Sequence, residues 1–163
     1  MDEADLVTNE FHKACVNGNV EKVTNFLSRK EEIDVKQLDK KYTLEKAVFY
    51  GYPEIVELLL KIGVNANQTH SGLRPLHYAC DIGNLKIVEI LLENGADIDA
   101  IFEGENRTPL DIAVWLEKTS VTRLLLENGC KTYIRDCKGQ TALECALKEG
   151  YLDGVKQLTF NDK

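Results

Sequence analysis

Ala14, Ala47, Ala79, Ala113 and Ala146 stand 33, 32, 34 and 33 residues apart. The same pattern recurs around each of them. Four residues on come Gly18, Gly51, Gly83, then Glu117, then Gly150. Nine residues on come Val23, Val56, Val88, then Thr122, then Val155. Sixteen residues on, the three middle copies carry Gly63, Gly95 and Gly129, each closing a leucine run. A chain written in registered copies of this length folds one small unit per copy. No single copy can bury its own apolar face, so neighbours must stack to build a continuous core.

The central copy shows what the unit is. Gly72-Leu73-Arg74-Pro75 reads as a turn leading into a short helix that stops at Gly83; a longer helix follows and stops at Gly95. Proline suits the first helical position, where its missing N–H had no partner anyway. Glycine suits the helix end, where a left-handed backbone favours a residue without Cβ. Ile87, Val88, Leu91 and Leu92 recur at helical spacing and form one apolar stripe.

Particular residues tie this unit to a known family. Arg74-Pro75-Leu76-His77-Tyr78-Ala79 matches its helix-opening motif with arginine for the usual threonine, and Thr108-Pro109-Leu110-Asp111-Ile112-Ala113 keeps the Thr-Pro start. Thr141-Ala142-Leu143-Glu144 is also a capping box. Gly95-Ala96-Asp97-Ile98-Asp99 and, more loosely, Gly63-Val64-Asn65-Ala66-Asn67 match the loop closing. On these residues the chain resembles the ankyrin repeats, from about Asp5 to about Leu158. The end copies are weaker. Asn9-Glu10-Phe11-His12-Lys13-Ala14 lacks the proline, and the last copy has no leucine pair and no final loop. Polar, atypical end units are expected in such arrays.

The resemblance implies an all-α solenoid of helix-turn-helix units with projecting turn or hairpin fingers. It implies one domain over residues 1–163, with units at about 5–36, 37–68, 69–100, 101–133 and 134–163. The fingers and first helices would line a concave face, and the second helices would form a convex back. Glu54, Glu57, Glu89, Glu93 and Glu127 fall on those second helices, where solvation accounts for them.

Charge and cysteine usage narrow the function. A formal net charge of −7 argues against general attraction to nucleic acid or to an anionic membrane. The acidic start, Met1-Asp2-Glu3-Ala4-Asp5, is followed by no long apolar run, so neither signal peptide nor membrane span is expected. Five cysteines without a C-x-x-C pair suit a reducing compartment and give neither a disulfide framework nor a metal site. The expected location is the cytoplasm, with the nucleus also open to such a chain, and the expected state is a monomer.

Candidates for chemistry are few. His12 and His77 occupy the motif histidine position, where the ring commonly ties the helix start to a neighbouring finger. His70 reads as an ordinary exposed histidine on a finger. Cys15 and Cys80 follow the repeating alanine, Cys145 precedes it, and Cys130 takes the alanine's place in the Gly-Ala loop. All four are expected to be small buried apolar groups. Cys137, at a finger tip, is the expected exposed thiol, and a small redox or thiol-dependent protein using Cys137 is the alternative function. Otherwise no enzyme and no cofactor are expected.

In this family the second and third residues after the alanine face the concavity. Here they are Val16 and Asn17, Phe49 and Tyr50, Asp81 and Ile82, Trp115 and Leu116, and Lys148 and Glu149. Aromatic residues anchor interfaces. Phe49, Tyr50, Asp81, Ile82, Trp115 and Leu116, with Arg107 from the adjacent finger, are therefore the expected binding surface for another protein. The role would be adaptor, inhibitor or assembly chaperone. Lys40, Lys41, Arg135 and Lys138 are further finger cations that an acidic partner segment could meet.

Two irregularities stand out. Glu117 replaces a helix-ending glycine beside Trp115, so that helix either carries a left-handed glutamate or ends differently. The finger before it, Ile101-Phe102-Glu103-Gly104-Glu105-Asn106-Arg107, is one residue longer than the period and could present Phe102. Asn67 lies where many ankyrin repeats resemble substrates of an asparaginyl hydroxylase, and Asp99 is its equivalent one unit on. An unmodified asparagine that bonds its own turn is the other reading.

Overall fold

Short apolar stripes punctuated by proline and glycine give short helices in pairs. The structure is a computed structural model that describes residues 3–29, 33–69 and 72–161. His70 lies outside the described residues. The helix pairs are α1 (Glu3–Val16) with α2 (Val20–Ser28), and, after a further short helix α3 (Val35–Lys40), α4 (Thr43–Phe49) with α5 (Pro53–Lys61). Then come α6 (Pro75–Ile82) with α7 (Leu85–Glu93), α8 (Pro109–Trp115) with α9 (Thr119–Glu127), and α10 (Ala142–Glu149) with α11 (Leu152–Asn161).

The fold is all-α. The first helices stack in series, α1 on α4, α4 on α6, α6 on α8 and α8 on α10. The second helices form a parallel row, α2 against α5, α5 against α7, α7 against α9 and α9 against α11. One apolar core runs between the rows. The alanines of the register, Ala14, Ala47, Ala79, Ala113 and Ala146, are all buried in it, where a small side chain lets two helices approach. Phe11, Leu44, Ile55, Leu59, Leu76, Ile87, Leu91, Leu110, Leu125 and Leu158 supply its bulk. Each such side chain, fully buried, contributes on the order of 1.5–3 kcal/mol.

Helix starts follow local chemistry. Pro53, Pro75 and Pro109 occupy first positions. The Thr108 and Thr141 hydroxyls accept from the N–H groups of Asp111 and Glu144, whose carboxylates accept from the threonine N–H groups in return. Asn19 and Asn84 cap α2 and α7 in the same manner from outside.

The connections differ from one another. The finger ahead of α4 is not a hairpin but α3, capped by Asp34 and anchored by fully buried Leu38. The long finger before α8 closes on itself through an antiparallel bridge between Phe102 and Arg107, whose N–H and carbonyl meet at 2.8 Å. That bridge leaves Phe102 half-buried rather than presented.

Glu117 resolves into the strained alternative. Gly83 ends α6 at φ +80, and a Cβ there would stand 2.9 Å from Cδ of Lys118. Glu117 holds the matching left-handed turn at φ +54. A non-glycine residue there costs roughly 1–2 kcal/mol, part of which glycine returns through the entropy of the unfolded chain. Glu117→Gly is therefore expected to raise stability by about 0.5–1 kcal/mol in urea unfolding. A loss of stability would mean that the glutamate side chain contributes more than its backbone strain costs.

Candidate functional site

The C-terminal ends of α4, α6 and α8 lie side by side because those helices stack in series. Each ends in bulky or charged residues at the same register. Phe49 is 56% exposed, Tyr50 52%, Ile82 37% and Trp115 44%, and Asp81 is exposed beside them. Leu116 differs, being half-buried and packed against the core. The outer units place half-buried Val16 with exposed Asn17, and exposed Lys148 with exposed Glu149, at the same register, so the apolar row is confined to the middle.

The row has internal order. Phe49 meets Tyr50 edge-on with ring centroids 5.4 Å apart, and meets Tyr78 edge-on at 6.5 Å. Tyr50 leans on Tyr52 at 6.1 Å. Such edge contacts contribute about 0.5–1.5 kcal/mol beyond area burial. At the other end, the Arg107 guanidinium stands 4.7 Å from the centre of the Trp115 ring and 3.0 Å from the Glu105 carboxylate. The finger therefore holds Trp115 in place by a cation–π contact. Of the other finger cations, Arg135 pairs with Glu144 at 2.7 Å.

Two residues before each register alanine the chain carries His12, Glu45, His77, Asp111 and Glu144. His77 accepts from the Arg74 N–H at Nδ1 and donates from Nε2 to the Ala100 carbonyl, both at 3.0 Å. The neutral ring thus ties the start of α6 to the base of the next finger. Burial holds its pKa down. Thr43 donates its hydroxyl proton to the Leu38 carbonyl, so His12 must be the donor in its 2.8 Å contact with Thr43. Burial, then Lys46 and Lys41, bring His12 down to about 4.

Glu45 was not singled out in the sequence, and it departs from this scheme. Asp111 and Glu144 bend back onto their helix starts. Tyr42, ahead of α4, is left-handed at φ +53 and spends its N–H on the Asp39 carbonyl. The Glu45 carboxyl therefore turns elsewhere. Glu45 is 5% exposed; one carboxyl oxygen takes a hydrogen bond from the Gln68 amide, and the other has no hydrogen-bond partner among the described residues. Burial, with the Asp39 charge adding to it and Lys46 opposing, pushes it up to about 7. Glu45 is among the residues that line an open recess with Tyr42, Lys46, Phe49, Tyr50 and Tyr78, although its unpartnered oxygen is shielded from solvent. The sequence signal for it was an acid at the motif histidine position without a threonine three residues earlier.

The cysteines divide by burial. Cys15, Cys80 and Cys130 are buried, and Cys145 is only half-buried rather than wholly within the core. Burial pushes the Cys15 and Cys130 thiols up to about 12 and raises those of Cys80 and Cys145. Cys137 is exposed, its N–H donating to the Glu105 carbonyl at 2.9 Å. Native labelling with a disulfide reagent is expected to modify Cys137 first and Cys145 next, with the other three at least tenfold slower. Equal rates at all five would contradict the packing of the first-helix row.

Asn67 joins neighbouring loops. Its amide donates to the Gly95 carbonyl at 2.8 Å, and its oxygen accepts from the Asp97 N–H at 2.7 Å. Asp99 repeats the contact one unit on, accepting from the Lys131 N–H at 2.8 Å.

No helix among the described residues is long and apolar enough to cross a membrane. A family model described as ankyrin repeats, in three copies, matches residues 11–101, 50–136 and 99–163. The probable 26S proteasome regulatory subunit p28 of Saccharomyces cerevisiae is 30% identical over 154 residues, covering 90% of this chain and 67% of that protein. The ankyrin repeat protein nuc-2 of Neurospora crassa is 34% identical over 147 residues, covering 90% of this chain but 14% of that protein. The mouse B-cell lymphoma 3 protein homolog is 28% identical over 189 residues, covering 90% of this chain and 42% of that protein.

Proposed function

The chain belongs to the ankyrin repeat family, and we propose that it is a protein-binding module, without catalysis of its own, that seats a partner on the face made by its first helices. The contact residues are Phe49, Tyr50, Asp81, Ile82, Arg107, Trp115 and Leu116. One observation carries this reading. Four large apolar side chains stand more than a third exposed at two adjacent register positions of three consecutive units. A contiguous row of that kind marks an interaction surface, whereas scattered exposed leucines would not. The similarity to a yeast protein described as a probable regulatory subunit of the 26S proteasome is in keeping with it.

Within this reading the five units proposed for the chain act as one domain. The protein works as a monomer in the cytoplasm or nucleus, as adaptor, inhibitor or assembly chaperone. Chemistry at Cys137 is the alternative, and it has an exposed thiol in its favour.

The test is a substitution pair against a control. With the partner recovered by affinity capture from source cells, Trp115→Ala and Tyr50→Ala should each weaken binding by about 2 kcal/mol, near thirtyfold. Both should cost the fold only about the 0.5–1.5 kcal/mol of the ring contacts they make, well short of a core truncation. Glu57→Ala, on the exposed face of α5, should alter neither binding nor stability. If that change abolished binding while Trp115→Ala did not, the second-helix face would be the interface.

A further inference from the structure

Four lysines crowd the α3–α4 end of the array. Lys36 and Lys40 lie one turn apart on α3, Lys41 closes that helix, and Lys46 lies on α4. Lys36, Lys40 and Lys46 are exposed and Lys41 is half-buried. Elsewhere on the fingers and loops, Arg74, Arg107, Lys131 and Arg135 each hold a carboxylate. The four lysines hold none among the described residues, in a chain whose net charge is −7. The acids beside them are engaged. Asp34 caps α3, Asp39 accepts from the Asn65 N–H at 3.3 Å, and Glu45 is buried with its open oxygen shielded from solvent. The positive field is felt nearby, where Lys46 and Lys41 both help to hold down the pKa of His12. Lys46 also lines the aromatic recess of Tyr42, Phe49, Tyr50 and Tyr78. At about 270 Å³ that open recess falls below the roughly 300–1,000 Å³ of a small-molecule site and suits a single side chain.

We propose that this end of the exposed row seats an acidic segment of the partner protein, with one aromatic side chain of the segment in the recess and its carboxylates against Lys41 and Lys46. The proposal rests on the protein-binding reading above and names the partner's chemistry at one end of it. An aromatic ring entering the recess extends the edge contacts that Phe49 already makes with Tyr50 and Tyr78. Opposite charge on the segment speeds its encounter and fixes its direction. Exposed Asp81 stands one turn beyond Tyr78 on α6, so the positive charge lies on the α3–α4 side and the carboxylates of the segment belong there. A nucleic acid is also an anion with rings to stack, but the net charge of −7 repels a polyanion as a whole.

The probe is a short peptide blocked at both ends, a phenylalanine with two glutamates on each side, titrated at pH 7 into the full chain while the aromatic ring resonances are followed by NMR. One control peptide replaces the glutamates with lysines, and another replaces the phenylalanine with alanine. Saturable shifts of the Phe49, Tyr50 and Tyr78 rings are expected with the probe, at least about fivefold tighter than with either control. The margin over the lysine peptide should shrink in about 0.5 M salt. Lys41→Gln combined with Lys46→Gln should erase the preference for glutamate over lysine and keep that for phenylalanine over alanine. Lys86→Gln, on α7, should alter neither. Equal affinity for the glutamate and lysine peptides would overturn the proposal, as would equal affinity for the phenylalanine and alanine peptides, or no saturable shift at all. A single-stranded oligothymidylate that bound the same rings more tightly than the probe would assign the lysines to nucleic acid and overturn it too. The peptide comparison on the wild-type chain decides the matter even if the double variant unfolds. The wider reading is tested apart from it: a captured partner that needs Trp115 but is indifferent to Lys41 and Lys46 would sink this proposal alone.

Discussion

Replacing Glu45 with glutamine is expected to stabilise the fold at pH 8 by about 3 kcal/mol and to change nothing near pH 4. Burial raises this carboxyl from 4.5 to about 7. The folded chain therefore holds the Glu45 proton more tightly than the unfolded chain does. Between those two values folding takes up a proton, so stability falls as pH rises from about 4.5. The full penalty applies above about 7. Glutamine carries no charge and escapes it, so its advantage should be absent at low pH and level off above pH 7. The figure is an upper bound, because an ionised Glu45 can draw in water. His12 has the opposite slope. It falls from 6.5 to about 4, so the unfolded chain takes the proton and stability rises with pH across that window. In the wild-type chain the two slopes offset one another between about pH 4.5 and 6.5. Urea unfolding of Glu45→Gln should then show stability rising to about pH 6.5 and flat beyond. An equal gain at pH 5 and pH 8 would mean that packing, and not ionisation, separates the two side chains.

The register of alanines was enough to place the stacked helices, because the close approach of two helices demands a small residue and little else substitutes for it. Leucine and valine at fixed offsets then located the core, and Leu91, Val88 and Leu125 lie fully or almost fully buried as the spacing requires. The exposed row was legible for Phe49, Tyr50, Ile82 and Trp115, but its edge was not. Leu116 packs against the core although it neighbours Trp115 in sequence, whereas Tyr50, at the same place after α4, stays exposed; the smaller aliphatic side chain is the one difference of residue type between them. The helix α3 was missed because fingers of this family are read as turns. Asp34 followed by Val35 and Leu38 was the available signal, an N-cap ahead of two apolar residues at helical spacing. Glu45 was illegible for a different reason. Acids at that register reach the helix start in two other units, and what diverts this one is the backbone of Tyr42, a left-handed residue that no propensity would assign.

Leu91→Ala is expected to cost about 3–5 kcal/mol in urea unfolding, the largest effect of any single substitution considered for this chain. Leu91 is fully buried in α7, which packs against α5, α6 and α9. Truncation removes the transfer energy of the side chain and leaves a cavity walled by helices on three sides, which can collapse only partly. The stacked architecture adds a second consequence. Stability in an array is a sum of unit terms and neighbour terms, and no contact spans the array as a whole. A lesion in α7 therefore weakens the coupling between the α4–α5 and α8–α9 pairs, and unfolding should broaden or split into two steps. Leu158→Ala provides the contrast. Leu158 is as well buried, but it lies in α11, which packs only on α9 and α10 among the principal helix contacts. Its loss should open α10 and α11 while α1 to α7 keep their protection. Hydrogen exchange by mass spectrometry separates the cases: for Leu158→Ala, faster exchange confined to the α10–α11 pair; for Leu91→Ala, faster exchange throughout. Uniform loss of protection in α1 and α2 on changing Leu158 would mean that the chain unfolds as one cooperative unit, and that nearest-neighbour coupling does not govern its stability.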